Sequence, residues 1–240
     1  IIAMDWRGYG LTETPHTDSY WFPDYLADLD ALLDALYPGQ AIDLVGHSMG
    51  GNVVMMYAGT RPERIRRLVN LEGFGMATTQ PAQAPTRMAQ WLDELKAQRA
   101  GDNTLKAYPD AAGVAARLMK TNGRLGQDKA DWLAQHWAQA GTDGQWRILG
   151  DSAHKVINPY LFHLEEALAM YRRISAPVLV VEASDDSLSQ WWKGKYTLAE
   201  FHERLKSVPQ LEQAQVQDAG HMLHHDQPQA LASLLENFLR

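Results

Sequence analysis

The run Pro177-Val178-Leu179-Val180-Val181-Glu182 leaves the chain little choice. It is too short for a stable helix and offers no polar face, so it reads as a strand covered on both sides. Ile42, Leu44 and Val45 form a similar short run, as do Ile65, Leu68, Val69 and Leu71. Ile1 to Met4 and Leu211 to Val216 also read as strands. Between them apolar residues return at helical spacing. Leu26, Leu29, Leu32, Leu33 and Leu36 mark a helix that opens at Pro23 or Asp24 and stops at Pro38-Gly39. Helices are also predicted from Asn52 to Gly59, around Leu198 to Leu205, and from Pro228 to Leu239. Buried strands alternating with helices predict an α/β fold with a mostly parallel sheet and helices on both faces.

The alternation stops between Gly75 and Ile174, where only helical segments are recognised: Met88 to Arg99, Ala111 to Lys120, Lys129 to Ala140 and Pro159 to Arg173. The expected organisation is therefore a core of residues 1–74 and 175–240 interrupted by a helical cap at 75–174. Gln80 to Pro85 reads as the connection into the cap. Trp91, Trp132, Trp137 and Trp146 fall in this insertion, either as helix-packing core or as walls of a substrate cavity.

Composition excludes several classes. Hydrophobic residues at 45% and charged residues at 21% fit a folded globular chain. A net charge of -7 argues against a nucleic-acid partner, whose contact surface would be basic. No apolar run approaches the roughly 20 residues needed to cross a bilayer. The absence of cysteine removes disulfides, thiolate metal sites and a cysteine nucleophile together. The chain opens at Ile1 inside a strand pattern, which reads as a start within a core and would hide any leader. The default reading of location is cytoplasmic.

Gly46-His47-Ser48-Met49-Gly50 matches G-x-S-x-G between a strand and a helix. Such a turn holds the serine hydroxyl clear of the sheet, and the flanking glycines let backbones pass closely. Ser48 is thus the candidate nucleophile. A serine needs a base. Of nine histidines, His221 follows a strand and precedes the last helix, where an open α/β sheet presents working groups. His224, His225 and Asp226 lie close behind, but no matching ligand group supports a metal site. His47 reads as packing or cavity lining. A carboxylate must orient the imidazole, and two places qualify: Asp185-Asp186 after one strand and Glu72 after another. Each has a plain alternative as a solvated loop charge or a helix cap.

Nearly the whole chain resembles the α/β-hydrolase superfamily, from Asp5-Trp6-Arg7-Gly8-Tyr9-Gly10 through Gly46–Gly51 to Gly220-His221. The first motif is similar to the D-x-R-G-x-G turn after the fourth strand of that family. The resemblance implies the α/β-hydrolase fold with a helical cap insertion and a Ser48-His221-acid triad. It favours Asp186, with Asp185 the near alternative, because the family's G-x-x-D aligns with Ala183-Ser184-Asp185-Asp186; Ala183 stands where glycine is usual. Glu72 occupies the position that some relatives use. Met49 would supply one oxyanion-hole N–H. The other donor lies, in the family, on a loop after the third strand, so the resemblance implies about 40–60 further residues upstream at usual element lengths. A serine nucleophile sets the chain apart from the haloalkane dehalogenase and epoxide hydrolase branches. The implied activity is hydrolysis of a carboxylic ester or related acyl bond in a small, partly apolar molecule, without cofactor or metal. A ligand-binding protein on the same fold is the alternative.

Overall fold

The computed structural model describes residues 1–240. In chain order it contains α1 (Phe22–Leu36), β1 (Ile42–His47), α2 (Met49–Thr60), β2 (Ile65–Leu71), α3 (Ala84–Arg99), α4 (Ala111–Thr121) and α5 (Gln127–Trp137). A short pair follows, β3 (Ala138–Ala140) and β4 (Trp146–Ile148), then α6 (Leu164–Arg173) and β5 (Val178–Ala183). The chain closes with α7 (Ser187–Trp192), α8 (Leu198–Leu205), β6 (Leu211–Val216), α9 (Leu223–Asp226) and α10 (Pro228–Leu239). No helix is long and apolar enough to cross a membrane.

The chain divides into two compact units, residues 1–28 with 82–161 and residues 29–81 with 162–240. The expected boundaries lay at 74/75 and 174/175. The first 28 residues group with the helical segment because the Arg7 turn is tied to residues of that unit. Tyr9 bridges Gly150, Asp151 N–H donates to the Gly8 carbonyl, and the His154 ring stacks between Tyr9 and Tyr20 at 3.9 Å from each. Gly8 and Gly10 both adopt positive φ, as that turn requires. In this unit Tyr108, Val114, Ala115, Leu125, Ala130, Leu133, Ala134 and Ala138 form a separate core.

The second unit holds the sheet, four strands in the order β1-β2-β5-β6, all parallel. Leu71 sits in register between His47 and Val181, so the carboxyl ends of β1 and β2 finish level while β5 runs on to Ala183. Successive residues point to opposite faces. Val69, Leu71, Leu179 and Val181 pack with Leu231 and Phe238 of α10. On the opposite face, that of Asn70, lies Gly51 of α2. This confirms the parallel sheet with helices on both faces.

Three expectations fail locally, each for a stated reason. Ile1 to Met4 forms no strand; Ile1 and Ile2 are exposed and pair with nothing. The expected helix from Lys129 to Ala140 ends at Trp137, where the chain turns into the β3–β4 hairpin around Asp143-Gly144. Three-residue strands are too short to show an alternating pattern, but Asp-Gly is a turn signal. The expected helix from Pro159 begins only at Leu164, which puts Glu165 and Glu166 in the first turn and Arg172 and Arg173 in the last, matching the helix dipole.

Gly59 of α2 abuts Met170 of α6: a Cβ there would lie 2.3 Å from the Met170 carbonyl oxygen. Backbone cannot yield as a side chain can, so Gly59→Ala should destabilise the protein by about 1–3 kcal/mol. Urea denaturation checks this; an unchanged midpoint would refute close α2–α6 packing.

Candidate active site

Ser48 and Glu72 are each the first residue beyond a strand, on neighbours in the sheet. Each continues the ladder by one step: Ser48 N–H donates to Leu71 O at 2.8 Å, and Glu72 N–H to Val181 O at 3.0 Å. Each then leaves the sheet with φ of 55°, a left-handed conformation that side chains other than glycine rarely adopt. The elbow at Ser48 is possible because Gly46 lacks a side chain; a Cβ there would sit 2.3 Å from the Gly50 carbonyl oxygen. α2 starts at Met49, so its first N–H groups have no carbonyl in the preceding turn and face the serine end of the helix.

Ser48 Oγ lies 2.9 Å from His221 Nε2, and His221 Nδ1 lies 3.2 Å from Glu72 Oε2. The second oxygen of Glu72 accepts the Ala183 N–H at 2.7 Å, at the end of β5. Glu72 is only 2% exposed. A carboxylate can only accept, so Nδ1 carries the imidazole proton and the Nε2 lone pair faces the serine hydroxyl. This chain of groups can draw the hydroxyl proton onto Nε2 while the carboxylate stabilises the resulting positive ring.

Asp186, the acid favoured by the sequence resemblance, is not brought to His221. It is the N-cap of α7, where its carboxylate accepts Ser189 N–H at 2.8 Å and the Ser189 hydroxyl. The Asp-x-x-Ser spacing makes that local bond available without any long-range fold. Asp185 is engaged through its backbone, donating to Ala219 O and accepting from Ser187. Of the three candidate acids, Glu72 is the one at the imidazole.

The loop carrying His221 is held from several sides. Ser184 Oγ exchanges bonds with Ala219, and Asp226 Oδ2 accepts the Gly220 N–H at 2.9 Å. His47, expected to pack or line a cavity, has its Nε2 2.7 Å from the His221 carbonyl oxygen and donates to it. Sequence reasoning gave no role to Ser184 or Asp226. The indole of Trp191 meets the His221 ring edge-on, 4.2 Å between centroids, and remains 51% exposed. No group of three or more His, Asp or Glu side chains is arranged to hold a metal ion.

Burial pushes His47 down to about 4 and His224 down to about 3, with neighbouring histidines adding to the effect. Both are therefore neutral near pH 7. The unfolded chain binds these protons from about pH 6.5 downward while the folded protein does not. Stability is thus full above about pH 6.5 and falls with pH toward 4, by at most about 1.4 kcal/mol per pH unit for each histidine. His224→Gln should shrink the loss between pH 7 and pH 5, read as urea midpoints. An equal loss in variant and wild type would reject the assignment.

The chain is similar to proteins of known family. A family model described as alpha/beta hydrolase fold matches residues 1–228. A serine hydrolase-like protein of Danio rerio is 26% identical over 245 residues, covering 100% of this chain and 73% of that protein. The sn-1-specific diacylglycerol lipase ABHD11 of Mus musculus is 25% identical over 253 residues, covering 100% of this chain and 71% of the lipase. The crystal structure of a hypothetical protein from Pseudomonas aeruginosa matches with a TM-score of 0.78 at 26% identity, over 92% of this chain and 74% of that one.

Proposed function

The chain belongs to the α/β-hydrolase fold family, and from that premise we propose that it is a serine hydrolase cleaving a carboxylic ester or related acyl bond. Ser48 is the nucleophile, His221 the general base and Glu72 the acid that orients it. The observation that carries this reading is the unbroken pair of contacts from Ser48 Oγ to His221 Nε2 and from His221 Nδ1 to Glu72 Oε2.

In the acylation step Ser48 Oγ adds to the substrate carbonyl as its proton passes to Nε2. The oxyanion meets the backbone N–H of Met49, aided by the positive end of α2. His221 then returns the proton to the leaving alcohol, and an acyl-enzyme remains. Water, deprotonated by the same nitrogen, attacks the acyl carbon and frees Ser48 and the acid product. The half-exposed Trp191 beside His221 supports a substrate with an apolar part near the base. The relatives named as a lipase and a serine hydrolase-like protein agree with acyl chemistry.

A fluorophosphonate probe, with the modified residue located by mass spectrometry, tests the nucleophile. Ser48 should be labelled, and His221→Ala should abolish the labelling. With p-nitrophenyl butyrate, Glu72→Gln should lower kcat by about 10²–10⁴-fold, as loss of a triad acid does. Asp186→Asn should leave turnover near wild type and cost about 1 kcal/mol of stability or less through the α7 cap. Full activity in Glu72→Gln, or its loss in Asp186→Asn, would reverse the assignment of the acid. A folded protein that resists the probe would favour a binding role on this fold.

A further inference from the structure

We infer that Asn70 is a positioning residue for the acid: its side-chain amide clasps Gly73 and thereby fixes the Glu72 turn against the helix that follows the nucleophile. This rests on the reading of Glu72 as the acid.

The need for such a clasp follows from the topology. β2 ends at Leu71, and the Glu72 N–H makes the last ladder bond, to Val181. Beyond it the backbone groups of Gly73 have no strand beside them, yet Gly73 is buried. A buried N–H and C=O need partners. Asn70 supplies both. Its Oδ1 accepts the Gly73 N–H at 2.9 Å, and its Nδ2 donates to the Gly73 carbonyl at 2.8 Å. The two partners differ in kind, so they fix the orientation of the amide. Asn70 is itself fully buried, in register between Gly46 and Val180. It is the lone polar residue in the Leu68–Leu71 run. A leucine would fill the space equally well but could pair neither group of Gly73.

The clasp also touches the nucleophile's helix. A Cβ on Gly51 or on Gly73 would each lie 2.3 Å from Asn70 Oδ1, and a Cβ on Gly73 would lie 2.8 Å from Gly51 backbone. Gly51 stands three residues after Ser48. One amide therefore meets the turn that carries Glu72 and, through Gly51, the helix that carries Ser48 at its start. Glu72 holds positive φ between these contacts. Released from the clasp, the turn is free to leave that conformation, and the carboxylate moves away from Nδ1.

The test is steady-state kinetics with p-nitrophenyl butyrate, per active site titrated with a fluorophosphonate, for Asn70→Ala, Glu72→Gln and the double variant. Misplacing a catalytic group by about 1 Å costs up to about 100-fold, so Asn70→Ala should lower kcat by about 10- to 100-fold with KM within about twofold. In the Glu72→Gln background the same change should cost less than about threefold, because no carboxylate remains to be misplaced. The downfield Nδ1 proton resonance of His221 should weaken in Asn70→Ala as in Glu72→Gln. A purely structural role predicts instead a lower melting temperature with wild-type kcat per titrated site. That result, or losses that multiply in the double variant, would overturn the inference and leave the triad reading intact. Full turnover in Glu72→Gln would overturn both. Should Asn70→Ala not fold, Gly73→Ala displaces the same amide from the other side and must show the same kcat loss and the same non-additivity.

Discussion

Everything at this site depends on two neighbouring parallel strands ending level and each giving way to a residue with left-handed backbone. Parallel register alone aligns the carboxyl ends of β1 and β2, so Ser48 and Glu72 leave the sheet side by side. Each departure carries strain on the order of 1–3 kcal/mol, which persists only where the surroundings fix the backbone more than once. Here that fixing is visible. Each residue's own N–H completes the ladder, and glycines at 46, 51 and 73 let turns and helix approach at backbone distance. The His221 loop then needs only to be held at the right height, which Ser184, Asp226 and His47 do through its backbone.

Much of this was legible in the residues. The alternating strands and helices announced a parallel sheet because a strand buried on both faces must be apolar throughout. The meeting of Ser48 and His221 was legible because each lies in a local motif whose glycines have a steric reason. The acid was not. Asp186 and Glu72 both follow apolar strands, and the difference between them lies in competition and reach. Asp186 has Ser189 three residues ahead and turns to it. Glu72 has one more methylene and no local donor, so its carboxylate is left for Ala183 and His221. Asn70 carries its own signal, an amide inside the apolar Leu68–Leu71 run. The β3–β4 hairpin and the unpaired Ile1–Met4 segment show the opposite limit: pattern is uninformative where strands are three residues long, or where no partner strand lies alongside.

Two histidines packed near His221 are neutral near pH 7. His47 packs against both His221 and His224, at 4.7 and 4.6 Å between ring centroids, and burial keeps His47 and His224 uncharged near neutral pH. His47 supplies a hydrogen bond to the His221 carbonyl without adding charge. An arginine or lysine in the same space would place a fixed positive charge against an imidazole that becomes positive in the proposed acyl transfer.

Because His221 meets a carboxylate rooted in β2, and its loop is tied down by Ser184 and Asp185, the stretch from Asp186 through α7 has no structural duty at the imidazole beyond the edge of Trp191. On the proposed reading, the bond-making groups and the exposed indole beside them thus belong to separate stretches of chain. Such a division makes the stretch from Asp186 through Trp192 an exchangeable part. Its length and side chains can drift, or be grafted from another protein, to admit a differently shaped molecule while the alignment of serine, imidazole and carboxylate stays where the sheet put it.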